Sequence, residues 1–231
     1  MKNSLFNEDM LRPYVRSQKA PYVSQALIVI NLFIFVTMCI MSYGKACFNP
    51  DSQLLIDWGA NWAPPTLNGQ AWRILTACFI HIGFMHVLMN MAVLWQVGIP
   101  CESLFGHRRF LLIYLMSGIG GFLGSTILNP NTVSAGASGA IIGLFGAYFA
   151  FLYRYKKELG SLPFQQSAKI LGIYLIYCAV YGATVNADFA GHLGGLITGF
   201  LFGYPLVPKT KSNNQAVTVT FSDSNNSSNH K

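Results

Sequence analysis

The sequence predicts an all-α membrane protein: six transmembrane helices in a bundle, with a first loop that is itself embedded in the membrane. Three observations carry this. The 231-residue chain is 52% hydrophobic and only 10% charged, whereas a soluble domain carries roughly 25% charged residues. Its apolar residues fall into six runs, each near the ~20 residues that cross ~30 Å of hydrocarbon. Its basic residues gather on one side of those runs. A net charge of +7 would ordinarily raise nucleic acid as a partner. Here the Lys and Arg residues are spread over tails and connections, which is a pattern of membrane topology and excludes a nucleic-acid patch.

In chain order, residues 1–21 form a polar N-terminal tail and 22–207 a single domain; 208–231 is a Ser/Asn-rich tail with the composition of disorder. The run Tyr22–Tyr43 exceeds the roughly 7–15 apolar residues of a secretory signal and lacks an Ala-x-Ala cleavage site, so it reads as a spanning signal-anchor helix. Residues 44–79 contain Trp58, Trp62, Pro64, Pro65, Trp72 and Arg73. That is too aromatic for a solvated linker, and Trp favours the membrane interface; a loop lying in the outer leaflet is expected. Further spans are expected at about 80–99, 109–128, 138–155, 167–183 and 189–207.

On the side of the N-terminus lie Lys2, Arg12, Arg16 and Lys19, then Arg108 and Arg109, then Arg154, Lys156, Lys157 and Lys169, then Lys209, Lys211 and Lys231. The other side holds Lys45 and Arg73 alone. Both termini are therefore expected in the cytoplasm. A bacterial inner membrane fits, since Glu8 and Asp9 argue against a mitochondrial transit peptide. The cysteines, Cys39, Cys47, Cys78, Cys101 and Cys178, form no CxxC pair and indicate neither a zinc site nor a disulfide framework. Cys47 and Cys78 fall on one side of the membrane, which leaves open a bond between them or plain packing.

The fourth span opens with Gly136-Ala137-Ser138-Gly139. Such a serine is either a helix N-cap among small packing residues or a nucleophile beside free backbone N–H groups. Span two holds His81, His86 and Asn90, the last two on one helix face. Span six begins Asp188-Phe189-Ala190-Gly191-His192. Ionisable residues inside a span are costly and tend to be functional, although a lone histidine can serve packing.

Depth separates the readings. His86 stands 16 residues before Glu102, Ser138 16 before Arg154, and His192 17 before Lys209, which puts each about 24–26 Å above the cytoplasmic charges. Gly191, Gly195, Gly199 and Gly203 repeat along span six, as Gly139, Gly143 and Ala147 do along span four. Such stripes let backbones approach closely. If they pack, Ser138 and His192 meet as nucleophile and general base. His86, Asn90 and the Ser138 backbone N–H then become donors to an oxyanion. No Asp or Glu lies inside a span; Asp188, one turn before His192, reads as a helix cap. A dyad is expected, not a triad.

These residues resemble the rhomboid family of intramembrane serine proteases. The matching motifs are His81-x4-His86-x3-Asn90, Gly136-x-Ser138-Gly139 and His192-x2-Gly195-x3-Gly199, and Trp72-Arg73 is similar to the family's loop motif. The resemblance runs over residues 22–207. It implies a six-helix rhomboid-like fold that cleaves transmembrane segments of membrane proteins near the outer face, with no metal or cofactor. Its partners would be transmembrane protein substrates and the lipid bilayer. It implies Ser138 as nucleophile and His192 as general base, with His86, Asn90 and the Ser138 backbone as oxyanion hole. His81, Gly136, Gly139, Trp72 and Arg73 would support them, and the fifth span and the 183–188 loop would gate substrate entry.

The chain departs from the family pattern in three places. Gln70 stands where Glu is frequent, Gly191 where Ala is usual, and Ile142 where an aromatic ring commonly stacks under the catalytic histidine. The last leaves open what orients His192. A catalytically silent rhomboid-like chaperone or substrate-binding protein would keep the fold and lose the dyad, whose residues are both present. A small transporter would carry a two-fold repeat, and none is visible.

Overall fold

The computed structural model describes residues 13–16, 20–185 and 188–209, with backbone only over 179–185. Most of the expected 1–21 tail, nearly all of 208–231 and part of the 183–188 loop lie outside the described residues. Regular structure within them is helical apart from one isolated bridge, Asn61 to Ser134. Six long helices make the body: α1 (Tyr22–Met41), α2 (Phe84–Phe105), α3 (His107–Leu128), α4 (Ser138–Arg154), α5 (Leu162–Val185) and α6 (Phe189–Leu206). Among the described residues α1, α2 and α3 are long and apolar enough to cross a membrane, and α4 is a shorter apolar helix. Large apolar side chains such as Phe33, Ile40, Ile127, Ile176 and Leu201 are exposed on the outside of the bundle; a belt of this kind needs lipid rather than water.

Helices α2 and α5 differ from the expected spans, α2 at both ends for local reasons. Helix α2 starts at Phe84, because Gly83 sits at φ +82° and breaks the helix before it. It then continues to Phe105 through a wide turn over Leu94–Gly98, just before Pro100. Proline has no N–H to close an ordinary helical turn, and the backbone widens there. It stops where Gly106 adopts φ +81°. Helix α5 starts at Leu162, five residues earlier than expected.

Glu102, near the C-terminal end of α2, points inward and is fully buried. Its carboxylate accepts the Val23 N–H at 3.0 Å, and the Ser24 N–H and hydroxyl at 2.7 Å each. His107 Nδ1 meets it at 2.5 Å, and the His107 ring stacks on Tyr22. A negative group thus satisfies the unpaired first-turn donors of α1 and faces the positive end of its dipole.

Helix α4 is buried on nearly every face, and α6 packs against both α4 and α3. A methyl group on Gly195 would lie 2.2 Å from the Gly139 carbonyl oxygen, and one on Gly199 2.0 Å from that of Gly143. On the other side, a methyl on Gly194 would lie 2.5 Å from the Gly120 carbonyl oxygen. The glycine stripes therefore put backbone against backbone, as expected.

The first loop folds into short helices, Lys45–Phe48, Ser52–Asp57, Ala63–Leu67 and Arg73–Thr76. Arg73 is buried and ties them together. Its Nη1 donates to the carbonyls of Ile56 (2.6 Å) and Ala60 (3.1 Å), and its Nε to Gln70 Oε1 (2.7 Å). Gln70 thus holds Arg73 by a neutral hydrogen bond, and the Arg73 guanidinium also lies over the half-exposed Trp72 ring. The reading of the cysteines is corrected here: Cys39 and Cys47 form a disulfide. A left-handed turn at Tyr43 and Gly44 folds the chain back at the end of α1 and brings the two together. Cys78 is a free buried thiol that fills the space left by Gly118.

Gly199→Ala is expected to force α4 and α6 apart and to cost ~1–3 kcal/mol, the usual range for overpacking. A thermal melt in detergent checks it. The control is Gly172→Ala, where an added methyl meets nothing within 4 Å and the melting temperature should hold.

Candidate active site

Ser138 is the first residue of α4, and the N-cap position is Ala137, whose side chain makes no cap bond. The packing-and-cap reading of the serine therefore fails on its own terms. Its hydroxyl is not spent on a helix end but lies 2.9 Å from His192 Nε2. Both residues are 9% exposed. As at any helix N-terminus, the first-turn N–H groups have no acceptor within the helix, and the dipole favours negative charge beside them.

The loop that delivers the serine is fastened to the first loop. Asn61 and Ser134 exchange backbone hydrogen bonds of 2.9 and 2.8 Å, and the Gly136 N–H donates to the Ala77 carbonyl at 2.9 Å. Around the bridge, Asn61 Nδ2 donates to Thr126 Oγ1 (3.1 Å), Thr66 Oγ1 donates to Asn61 Oδ1 (3.0 Å), and the Ser125 and Ser134 hydroxyls meet at 2.8 Å. All five residues are buried. Sequence reasoning missed this network, because a lone Asn between Ala60 and Trp62 has no periodic or motif signal.

His86 comes from the first turn of α2. Its Nδ1 accepts the Ile82 N–H at 3.2 Å, so the ring proton of the neutral form sits on Nε2. That side of the ring lies against Gly136, two residues before Ser138: a methyl on Gly136 would be 2.7 Å from His86 Cε1 and 2.9 Å from Nε2. Gly136 also holds φ +127°, where a side chain is strained. His81 is fully buried and presents its ring edge to His86, 5.3 Å between centroids.

Asn90 is buried and shares the His86 face, as expected, but its amide is engaged. Nδ2 donates to the His86 carbonyl at 2.8 Å, and Oδ1 accepts from the Tyr174 hydroxyl at 3.2 Å. Asp188 caps α6, its Oδ1 accepting the Gly191 N–H at 3.0 Å. Phe189, on the same first turn, sets its ring edge-on to His192 at 6.3 Å, within the usual range for aromatic pairs. The ring beside the imidazole comes from α6 itself, and Ile142 is a buried aliphatic on α4.

Beside the Ser138–His192 pair, on the α3 side, a small cleft of about 20 Å³ is lined by residues that include Gly121, Phe122, Ser134, Ser138, Asp188 and His192. The arrangement can therefore do acyl chemistry: a hydroxyl paired with a base, a helix N-terminus and an imidazole N–H near the same point, and a space beside them.

Gly136→Ala should displace His86 and the serine loop together. Labelling of Ser138 by a fluorophosphonate should slow by about tenfold or more, the scale on which small misplacements act. Gly160→Ala is the control. It adds a side chain at φ +71° with nothing within 4 Å, and labelling should be unchanged.

Comparison with known proteins places the chain in a family. The rhomboid domain matches residues 68–209. Rhomboid protease GluP of Bacillus subtilis is 37% identical over 172 residues, 73% of this chain and 33% of that protein. RHOMBOID-like protein 6, mitochondrial, of Arabidopsis thaliana is 37% identical over 168 residues, 71% of this chain and 53% of that protein. Rhomboid-like protease 3 of Toxoplasma gondii is 31% identical over 175 residues, 74% of this chain and 64% of that protein. The chain thus spans between a third and just under two thirds of the length of these relatives.

Proposed function

The chain belongs to the rhomboid family, and from that premise we propose that it is an intramembrane serine endopeptidase that cleaves transmembrane segments of membrane proteins near the outer face. The observation that carries the proposal is the 2.9 Å contact of Ser138 Oγ with His192 Nε2 at the head of α4. A protein that only bound or chaperoned helices would have no need of it.

In the reaction, Ser138 Oγ attacks the substrate carbonyl carbon as its proton passes to His192 Nε2. The oxyanion is met by the Ser138 N–H and by His86 Nε2–H, whose tautomer is set by the Ile82 N–H. Collapse of the tetrahedral intermediate returns the proton from Nε2 to the leaving amine. Water then attacks the acyl-enzyme, with His192 again as base. The cleft beside the dyad gives that water room.

Asn90 is the third oxyanion donor, once it is released. The Tyr174 hydroxyl holds its Oδ1, and the Tyr177 hydroxyl donates to the Met85 carbonyl at 3.2 Å. Both tyrosines stand on α5 and both acceptors on α2, so two hydrogen bonds fasten the side through which a substrate helix enters. Displacing α5 frees the Asn90 amide and opens the entry in one movement. All six long helices cross the membrane in this reading, with both termini in the cytoplasm. The protein sits in a bacterial inner membrane, with Trp72 and Arg73 in an outer-leaflet loop.

Reconstitution in proteoliposomes with a transmembrane reporter tests the proposal. Ser138→Ala and His192→Ala should each reduce cleavage to the uncatalysed level; cleavage equal to wild type in both would leave a silent rhomboid-like binding protein. Tyr174→Phe and Tyr177→Phe should each raise kcat/KM on the reporter by about 2- to 10-fold, because each lost hydrogen bond is worth about 0.5–1.5 kcal/mol of closure. The rate of fluorophosphonate labelling should change less, since a small probe needs no helix-sized opening.

A further inference from the structure

Asp188 does more than end a helix. Its Oδ1 accepts from the Gly191 N–H at 3.0 Å and from Asn129 Nδ2 at 3.1 Å, which pins the carboxylate between the end of α3 and the first turn of α6. Oδ2 folds over the helix start: a methyl on Gly191 would lie 2.6 Å from it. The glycine that stands where the family has alanine is what lets the carboxylate lie there. His192 is one turn further on, its N–H bonded to the Asp188 carbonyl at 3.1 Å. Asp188, His192 and Ser138 line the same cleft.

When the Ser138 proton reaches Nε2, the His192 ring becomes a cation in a site that is nine-tenths buried. A charge there is costly without a counter-charge nearby. The Nδ1 atom of His192 is buried and has no hydrogen-bond partner among the described residues. Around the ring, α4 and α3 offer Ser138, Gly139, Gly118, Gly121 and Phe122, and none of these is charged. The titratable groups facing it are His86 from α2 and Asp188 from its own helix. Among the described residues Asp188 is the one carboxylate in reach.

We propose that Asp188 is a positioning residue for His192: its carboxylate, held by Gly191 and Asn129, stabilises the imidazolium formed as Ser138 attacks. It does so through its field across the cleft, without direct contact with the ring nitrogen. The inference rests on the serine-protease reading above.

Asp188→Asn is the deciding variant. Asn caps helices about as well as Asp and keeps an oxygen for Gly191 and Asn129, so only the charge is lost. Asp188→Ala loses charge and cap together. Cleavage of the transmembrane reporter is measured in proteoliposomes, with active enzyme counted by fluorophosphonate labelling taken to completion. Asp188→Asn should keep KM within about twofold and the melting temperature of wild type, while kcat falls about 10- to 100-fold. Asp188→Ala should lose the same factor in kcat and some melting temperature as well. Wild-type kcat in Asp188→Asn, or a loss confined to Asp188→Ala, would overturn the inference and leave a cap alone. Wild-type protein that cleaves no faster than Ser138→Ala overturns the protease reading itself, in a separate arm.

Discussion

Where α4 and α6 cross, their separation is set by backbone and not by side chains. Gly195 faces the Gly139 carbonyl and Gly199 faces that of Gly143. Lipid is as apolar as leucine, so no hydrophobic force drives helices together in a membrane; packing and close polar contacts must. The serine side chain is short, and its hydroxyl reaches the imidazole of the neighbouring helix only if the two backbones nearly touch. The 2.9 Å contact of Ser138 with His192 thus depends on that close packing. Helix α3 grips the other side of α6 through Gly120, Gly121 and Gly124, and His192 is held from both sides.

Fixing a helix pair does not fix the loop that delivers Ser138. That falls to the first loop, whose polar groups would be costly in a bilayer if they were left unpaired. Arg73 gathers the carbonyls of Ile56 and Ala60, and Asn61 then binds Ser134. The same hydrogen bonds that pair the loop's buried polar atoms hold the backbone four residues before Ser138. At the opposite end, Glu102 seats the start of α1. The bundle is therefore fastened at both faces by buried polar groups and in the middle by glycine.

The departures from the family pattern turn out to be compensated locally. Gln70 keeps the bond to Arg73 with an amide oxygen. Phe189 supplies an edge-on ring for His192 although Ile142 supplies none. Gly191 makes room for the Asp188 carboxylate. Phe189 and Asp188 both lie within one turn of His192 on the same helix and so share its site.

The long helices and the level shared by the polar residues were legible because both follow from counting along a chain of known rise. Apolar length marks a helix, and equal spacing from its end marks a common level. Ser138, His192 and His86 could be brought together on that basis, and the glycine stripes indicated which faces meet. Other features were not legible: the Cys39–Cys47 pairing, the inward turn of Glu102, the Asn61–Ser134 bridge, and the hold of Tyr174 on Asn90. Each of these joins residues through a loop turn or between helices distant in sequence, where no period links the partners. The sequence by itself determined which polar residues share a level along their helices. Tertiary structure alone decided which donor meets which acceptor, because a hydrogen bond depends on ångström-scale separations that spacing along a chain does not encode.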